Sequence, residues 1–185
     1  MHLTIANPQN RANTQFLFDG KITSKKWMNI NSNVVATFGE NSDFTEHNSA
    51  LRLIGKGNAK LTVKTAKNKF KTAGTKIIAN GGGTLIVDSE DVLGATIQVD
   101  ANKILNLTVN KNQSNAGVIT IADSTTSAST INISVDSAVT SLNFADNSAS
   151  SWGNGKIVVT NFRDNVIGFG SNENGITSDQ LSQID

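Results

Sequence analysis

A chain of 185 residues with no cysteine excludes disulfide staples, thiolate metal sites and cysteine nucleophiles, and is long enough to bury a core as one large β domain or two small ones. Its 37% hydrophobic residues and 15 glycines put it at the low end of the globular range, and an aromatic share of 5% excludes a core built from large rings. The net charge of +1 conceals a gradient: residues 1–80 carry twelve Lys and Arg against four Asp and Glu, +8, and residues 81–185 carry four against eleven, −7.

Apolar residues recur in short runs down the whole chain, a pattern that a disordered polymer lacks. The first run, Leu3–Ala6, opens directly from Met1 with no secretory signal, and no run approaches the length of a membrane span. Export would rely on a signal outside these residues. Strands are expected at Gln15–Phe18 and Val34–Phe38, followed by the polar stretch 39–50, so residues 1–50 read as a cap or first rungs.

From there strands are expected at Leu51–Ile54, Lys60–Val63, Lys76–Ala79, Thr84–Val87, Thr96–Val99, Ile104–Val109, Val118–Ile121, Thr130–Val135, Ser141–Phe144 and Ile157–Thr160, which makes 51–161 a regular stack. Alternation is cleanest in Leu105-Asn106-Leu107-Thr108-Val109 and Ile131-Asn132-Ile133-Ser134-Val135, with apolar residues on one face. Turn clusters separate the runs, among them Asn80-Gly81-Gly82-Gly83 and Asn110 to Gly117. The closing segment, 162–185, holds a strand at Val166–Phe169 and one helical turn capped by Thr177 or Ser178.

Short strands that each bury one Val, Ile or Leu at a time need few aromatics. The fold class expected is therefore all-β, a right-handed parallel β-helix or β-solenoid with capping terminal segments, in a single domain over 1–185. A β-sandwich is the alternative, since no exact repeat survives inspection.

Gly155-Lys156-Ile157-Val158-Val159-Thr160-Asn161-Phe162, then Val166-Ile167-Gly168-Phe169-Gly170, then Gly175-Ile176-Thr177-Ser178-Asp179-Gln180-Leu181-Ser182-Gln183-Ile184 resembles the closing segment of bacterial surface and passenger proteins with autotransporter-associated β-strand repeats. The stretches Gly82 to Val87, Leu93 to Val99 and Leu105 to Val109 look like the repeats themselves. The resemblance implies β-helix architecture, secretion and a structural or adhesive role, and it carries no catalytic residues. The chain departs from that family in having neither a signal peptide nor a membrane-embedded barrel.

No nucleophile elbow, zinc-protease or Walker-type motif is present. His2 and His47 read as separate surface histidines, and Asn80 to Thr84 as a tight turn that only superficially resembles a phosphate-cradling loop. Asp88, Glu90 and Asp91 are the candidate calcium ligands, with a solvated acidic turn as the favoured reading, and no other cofactor is expected. The most informative signal is the run Lys56, Lys60, Lys64, Lys67, Lys69, Lys71 and Lys76, read as one charged ribbon of a sheet. It fits an anionic glycan or an acidic partner surface, and fits nucleic acid poorly because only Phe70 lies among the lysines. Edge protection is the bland alternative. Trp27 and Trp152 are candidate sugar-stacking platforms, with core packing favoured for each.

The expected function is a non-enzymatic structural protein of the bacterial cell surface or extracellular space, a passenger, sheath or filament unit. Its basic and acidic halves would assemble copies head to tail. An adhesin or glycan-binding module is the second expectation. A β-helix polysaccharide lyase or hydrolase is the third, disfavoured because the acidic residues are mostly scattered singly.

Overall fold

The computed structural model describes residues 3–6, 14–23, 25–47, 49–67, 69–70 and 76–185; His2 and Lys71 lie outside them. Within these residues the chain winds as a β-solenoid of about six coils. Coil 1 holds β1 (Leu3–Ile5) and β2 (Thr14–Phe18), coil 2 holds β3 (Met28–Ile30) and β4 (Val34–Phe38), and coil 3 holds β5 (Leu51–Leu53) and β6 (Lys60–Val63). Coil 4 holds β7 (Lys76–Ala79) and β8 (Gly83–Val87). Coil 5 adds a third strand, with β9 (Thr96–Val99), β10 (Ile104–Val109) and β11 (Gln113–Ala116). Coil 6 repeats that plan with β12 (Ile119–Ile121), β13 (Thr130–Val135) and β14 (Leu142–Phe144). The closing part-coil holds β15 (Lys156–Thr160), β16 (Ile167–Phe169) and the short helix α1 (Ser178–Leu181).

Sheet A stacks β1-β3-β5-β7-β9-β12, sheet B stacks β2-β4-β6-β8-β10-β13-β15, and sheet C stacks β11-β14-β16. Every strand pair among the described residues is parallel, which rules out the β-sandwich. In sheets A and B each coil returns after 20 to 26 residues, as in Ile77↔Ile97 and Leu105↔Ile131. Sequence order is therefore position along the stack.

The alternation of each strand becomes an inward column of side chains. Met28, Leu51, Ile77, Ile97 and Ile119 stack in sheet A, and Ala36, Leu61, Leu85, Leu107 and Ile133 in sheet B, all of them buried. Burying each such side chain is worth about 1.5–3 kcal/mol. Rings are kept for the two ends: Phe38, Phe44 and Phe70 pack within 4.3–5.8 Å of one another in coils 2 and 3, and Phe144 stacks on Phe169 at 5.2 Å near the other end.

The corner between sheets A and B needs left-handed backbone, and it falls on Asn33, Gly57, Gly82 and Asn102 in successive coils. A side chain at Gly82 would meet the Ile104 carbonyl oxygen at 2.8 Å. The far corner is held by Gln113, whose buried Oε1 accepts from the Val92 and Leu93 amides while its Nε2 donates to the Ser89 and Lys111 carbonyls.

Thr177 caps α1 in a reciprocal capping box with Gln180, and Gln180 Nε2 donates to the Asn147 and Ser150 carbonyls. Gln183 to Asp185 then add a short rung on β15.

Candidate functional site

The seven lysines do not share one face. From the A–B corner of coil 3 at Lys56 the described residues pass along sheet B and the third side and resume on coil 4 at Lys76, so the ribbon expected from the sequence is a belt. Lys56 sits at the A–B corner, Lys60 in β6 on sheet B, Lys64 just past β6, Lys67 and Lys69 on the third side, and Lys76 at the start of β7 in sheet A; Lys71 lies outside the described residues. A period-2 strand presents only alternate residues to one face, and a run of twenty-one residues exceeds any single strand here.

Two belt lysines are committed to neighbouring coils. Lys69 Nζ lies 2.9 Å from Asp43 and Lys67 Nζ 2.6 Å from Asp91, and Lys21 pairs with Glu46. The pairs form a ladder up the third side, each rung joining adjacent coils. Hydrogen bonds from Lys69, and then from Thr45, hold the Asp43 carboxyl well below the usual range. Hydrogen bonds from Lys67 and the Ser114 amide lower Asp91, and the hydrogen bond to Asp91 and its charge raise Lys67. Among the described residues Lys56, Lys60 and Lys64 form no ion pair.

The three candidate calcium ligands part company. Asp91 is taken by Lys67 and Ser114, Asp88 accepts from Asn110 Nδ2 at 2.5 Å, and Glu90 is exposed. No group of three or more His, Asp or Glu is placed to hold a metal ion among the described residues.

Trp152 is not a platform. It is 2% exposed, packs 5.7 Å from Phe169 and donates its indole N–H to the Ile119 carbonyl, because the loop from Ser148 to Gly155 folds over the end of the core. Trp27 is partly exposed, but the Arg52 guanidinium covers its ring at 4.5 Å. His47 is buried edge-on to Phe44, against the expectation of a surface residue. Phe70 is buried too, so the belt has no exposed ring beside its lysines on coil 3.

Two other features emerge only in three dimensions. The first is the pair of stack ends. Of the large apolar side chains exposed among the described residues, Leu3 and Leu17 belong to coil 1 and Phe162 and Leu181 to the closing part-coil; Trp27, at the start of coil 2, and Ile104 lie between. The outer edges of β1 and β2 carry no strand partner among the described residues. At the other end a cavity of about 420 Å³ opens between Val159, Phe162, Ile167, Phe169, Ile176 and Ile184. The tips differ in charge: residues 1–27 carry four Lys and Arg against one Asp, +3, and residues 153–185 carry two against four acidic residues, −2. The +8 of residues 51–80 sits inboard, and residues 1–50 are neutral as a whole.

The second feature is a cleft of about 500 Å³ at the A–B corner, lined by Gly55, Lys56, Gly57, Gly81, Gly82, Asn102, Lys103, Ile104 and Asn106. Nothing in the sequence pairs Lys103 with Lys56, 47 residues earlier; the left-handed Asn or Gly shortly before β4, β6, β8 and β10 is the signal that aligns them.

No helix among the described residues is long and apolar enough to cross a membrane. Compared with protein-family models, curated proteins and solved structures, the chain matches none.

Proposed function

We propose that the chain is a non-enzymatic structural module of the bacterial surface or extracellular space whose solenoid is extended by end-to-end contact with further copies. The observation that carries this reading is the pairing of unlike tips. A positively charged first coil has open β edges and exposed Leu3 and Leu17; a negatively charged last part-coil has an apolar cavity flanked by exposed Phe162 and Leu181. Open parallel edges are templates for another strand, and contacts between unlike surfaces do not close on themselves.

The use of the carboxylates also supports a structural role. Asp19, Asp43, Asp88, Asp91, Asp100, Asp136 and Asp146 each accept hydrogen bonds that hold a corner or join two coils. The surface setting rests on the likeness of residues 155–184 to the closing segments of surface proteins.

Sedimentation velocity and negative-stain imaging at low and high salt test the proposal. Linear oligomers are expected at low ionic strength, shortening as salt rises, because exposed charges are screened beyond about 8 Å at physiological ionic strength. A monomer at low salt and high protein concentration overturns it.

A further inference from the structure

We propose that the corner between sheets A and B at coils 3 to 5 is a binding site for an anionic polysaccharide, with Lys56 and Lys103 as its cationic arms. The site lies inboard of both tips and stands whether or not copies assemble.

The corner is a notch because of what coil 4 places there. Lys56 belongs to coil 3 and Lys103 to coil 5, so they stand two rungs apart, roughly 9.5 Å along the stack. Between them coil 4 offers only Gly81 and Gly82. A side chain at Gly81 would collide with the Gly55 backbone, and one at Gly82 with the Ile104 carbonyl. The backbone is thus packed too closely to carry a side chain, and the space above the glycines stays open to a ligand.

Each polar side chain lining the notch, Lys56, Asn102, Lys103 and Asn106, carries a donor. No carboxylate lines it, although residues 81–185 are strongly acidic. Neither Lys56 nor Lys103 forms an ion pair among the described residues. The Asn102 Oδ1 is saturated by Ser124 Oγ, Thr126 Oγ1 and the amide and hydroxyl of Ser127, leaving its amide N–H₂ to donate. Asn106 likewise accepts from Asn132 through Oδ1, at 2.9 Å. Asp100, the nearest acid in sequence, is occupied by Asn80 and Gln98.

The neighbouring cleft makes the contrast. There Lys64 and Lys111 share the walls with Glu40 and Asp88, two cations against two carboxylates.

Ammonium and amide donors select carboxylate, sulfate or phosphate groups. Ile104, 53% exposed on the rim, supplies an aliphatic surface suited to the C–H face of a sugar ring. Nucleic acid shares the anionic groups, but its bases call for exposed aromatic rings, and the notch has none.

Affinity electrophoresis and titration calorimetry on the full chain test this with four probes: polygalacturonate, dextran sulfate, neutral dextran and oligo(dT). Binding is expected to polygalacturonate, dextran sulfate or both, which tells carboxylate from sulfate recognition, and not to neutral dextran. The Lys56→Ser/Lys103→Ser double variant is expected to lose at least tenfold in affinity with an unchanged melting temperature. A charge-matched control, Lys76→Ser/Lys111→Ser, should lose less than threefold. Four results overturn the proposal: no binding to either anionic polysaccharide, equal loss in the two double variants, binding to neutral dextran as strong as to the charged polymers, or tighter binding to oligo(dT).

Discussion

The ammonium of Lys69 lies 2.9 Å from the carboxylate of Asp43 on the preceding coil, so the charges that seem to advertise a binding ribbon also stitch the stack together. Asp43 and Asp91 both titrate below their ordinary range, chiefly through hydrogen bonds from Lys69 and Lys67. A depressed carboxyl contributes stability that is fully present above its unfolded value, about 3.9, and is lost as pH falls through the folded value. The Lys67→Ala/Lys69→Ala variant should therefore melt below the wild type at pH 7, and the gap should narrow progressively as the pH falls below about 3.9. On the alkaline side the raised Lys67 makes its share present below about 10.4 and lost above that. Circular-dichroism melts across pH read the gap directly. A gap that stays constant from neutral to acid pH refutes the ladder as a source of stability.

Gln113 ties the loop before sheet A to the start of β11 with four hydrogen bonds from a fully buried side chain. Replacing it with Ala strands the Val92 and Leu93 amides in a buried corner. Each unsatisfied buried group costs about 1–3 kcal/mol, so Gln113→Ala should lower stability by about 3 kcal/mol. Gln113→Glu keeps the acceptor but turns a carboxylate oxygen toward the Ser89 and Lys111 carbonyls, and should cost at least as much as Ala. Urea unfolding measures this, and a loss under about 1 kcal/mol for Ala would mean that water replaces the side chain.

How much of this was legible follows from what local pattern can carry. Strands such as β10 and β13 read directly, because Leu105, Leu107 and Val109 alternate with polar neighbours and the solenoid buries that alternate set. β11 did not. Its sequence Gln-Ser-Asn-Ala has no apolar alternation and resembles a turn, and it is a strand only because Gln113 and Ala116 face Leu142 and Phe144 on the next coil. β3 is three residues long, two positions past Lys26, and too short to show a period. The repeat stayed hidden because coil length drifts from 20 to 26 residues as corners gain and lose Gly and Asn. The same winding explains the candidate site: adjacency in sequence became circumference, spreading Lys56 to Lys69 around coil 3 and placing Lys76 on coil 4, while Lys56 and Lys103 were brought to one corner.

The two tryptophans should report opposite environments. Trp152 is 2% exposed and hydrogen-bonded to Ile119, whereas Trp27 is 43% exposed beneath Arg52. In the Trp27→Phe variant the remaining emission should be blue-shifted and resist acrylamide. In Trp152→Phe it should be red-shifted and quenched, more so after Arg52→Ala removes the cover. Trp152→Ala should cost about 3–5 kcal/mol through the cavity it leaves, against little for Trp27→Ala. Equal quenching of the two single-tryptophan variants contradicts the assignment of Trp152 to the core.

End-to-end contact between unlike tips makes a prediction that lateral or symmetric association does not. Leu17→Asp places an anion, which the acidic tip repels, on the edge strand of the positive tip, and Phe162→Asn removes the apolar ring beside the cavity of the negative tip. Both side chains are largely exposed, 69% and 64%, so neither change should lower the melting temperature by more than a degree or two. Each variant alone keeps one intact tip with no intact partner, and should remain monomeric at low salt. Mixed in equal amounts, the intact negative tip of the first meets the intact positive tip of the second. The mixture should form a dimer and stop there, because the outer tips of that dimer are both blocked. Sedimentation velocity distinguishes the outcomes: a dimer only in the mixture supports heterologous ends, longer species in either variant alone mean that the tips are not the contact, and monomers throughout mean that Leu17 and Phe162 do not lie opposite intact surfaces.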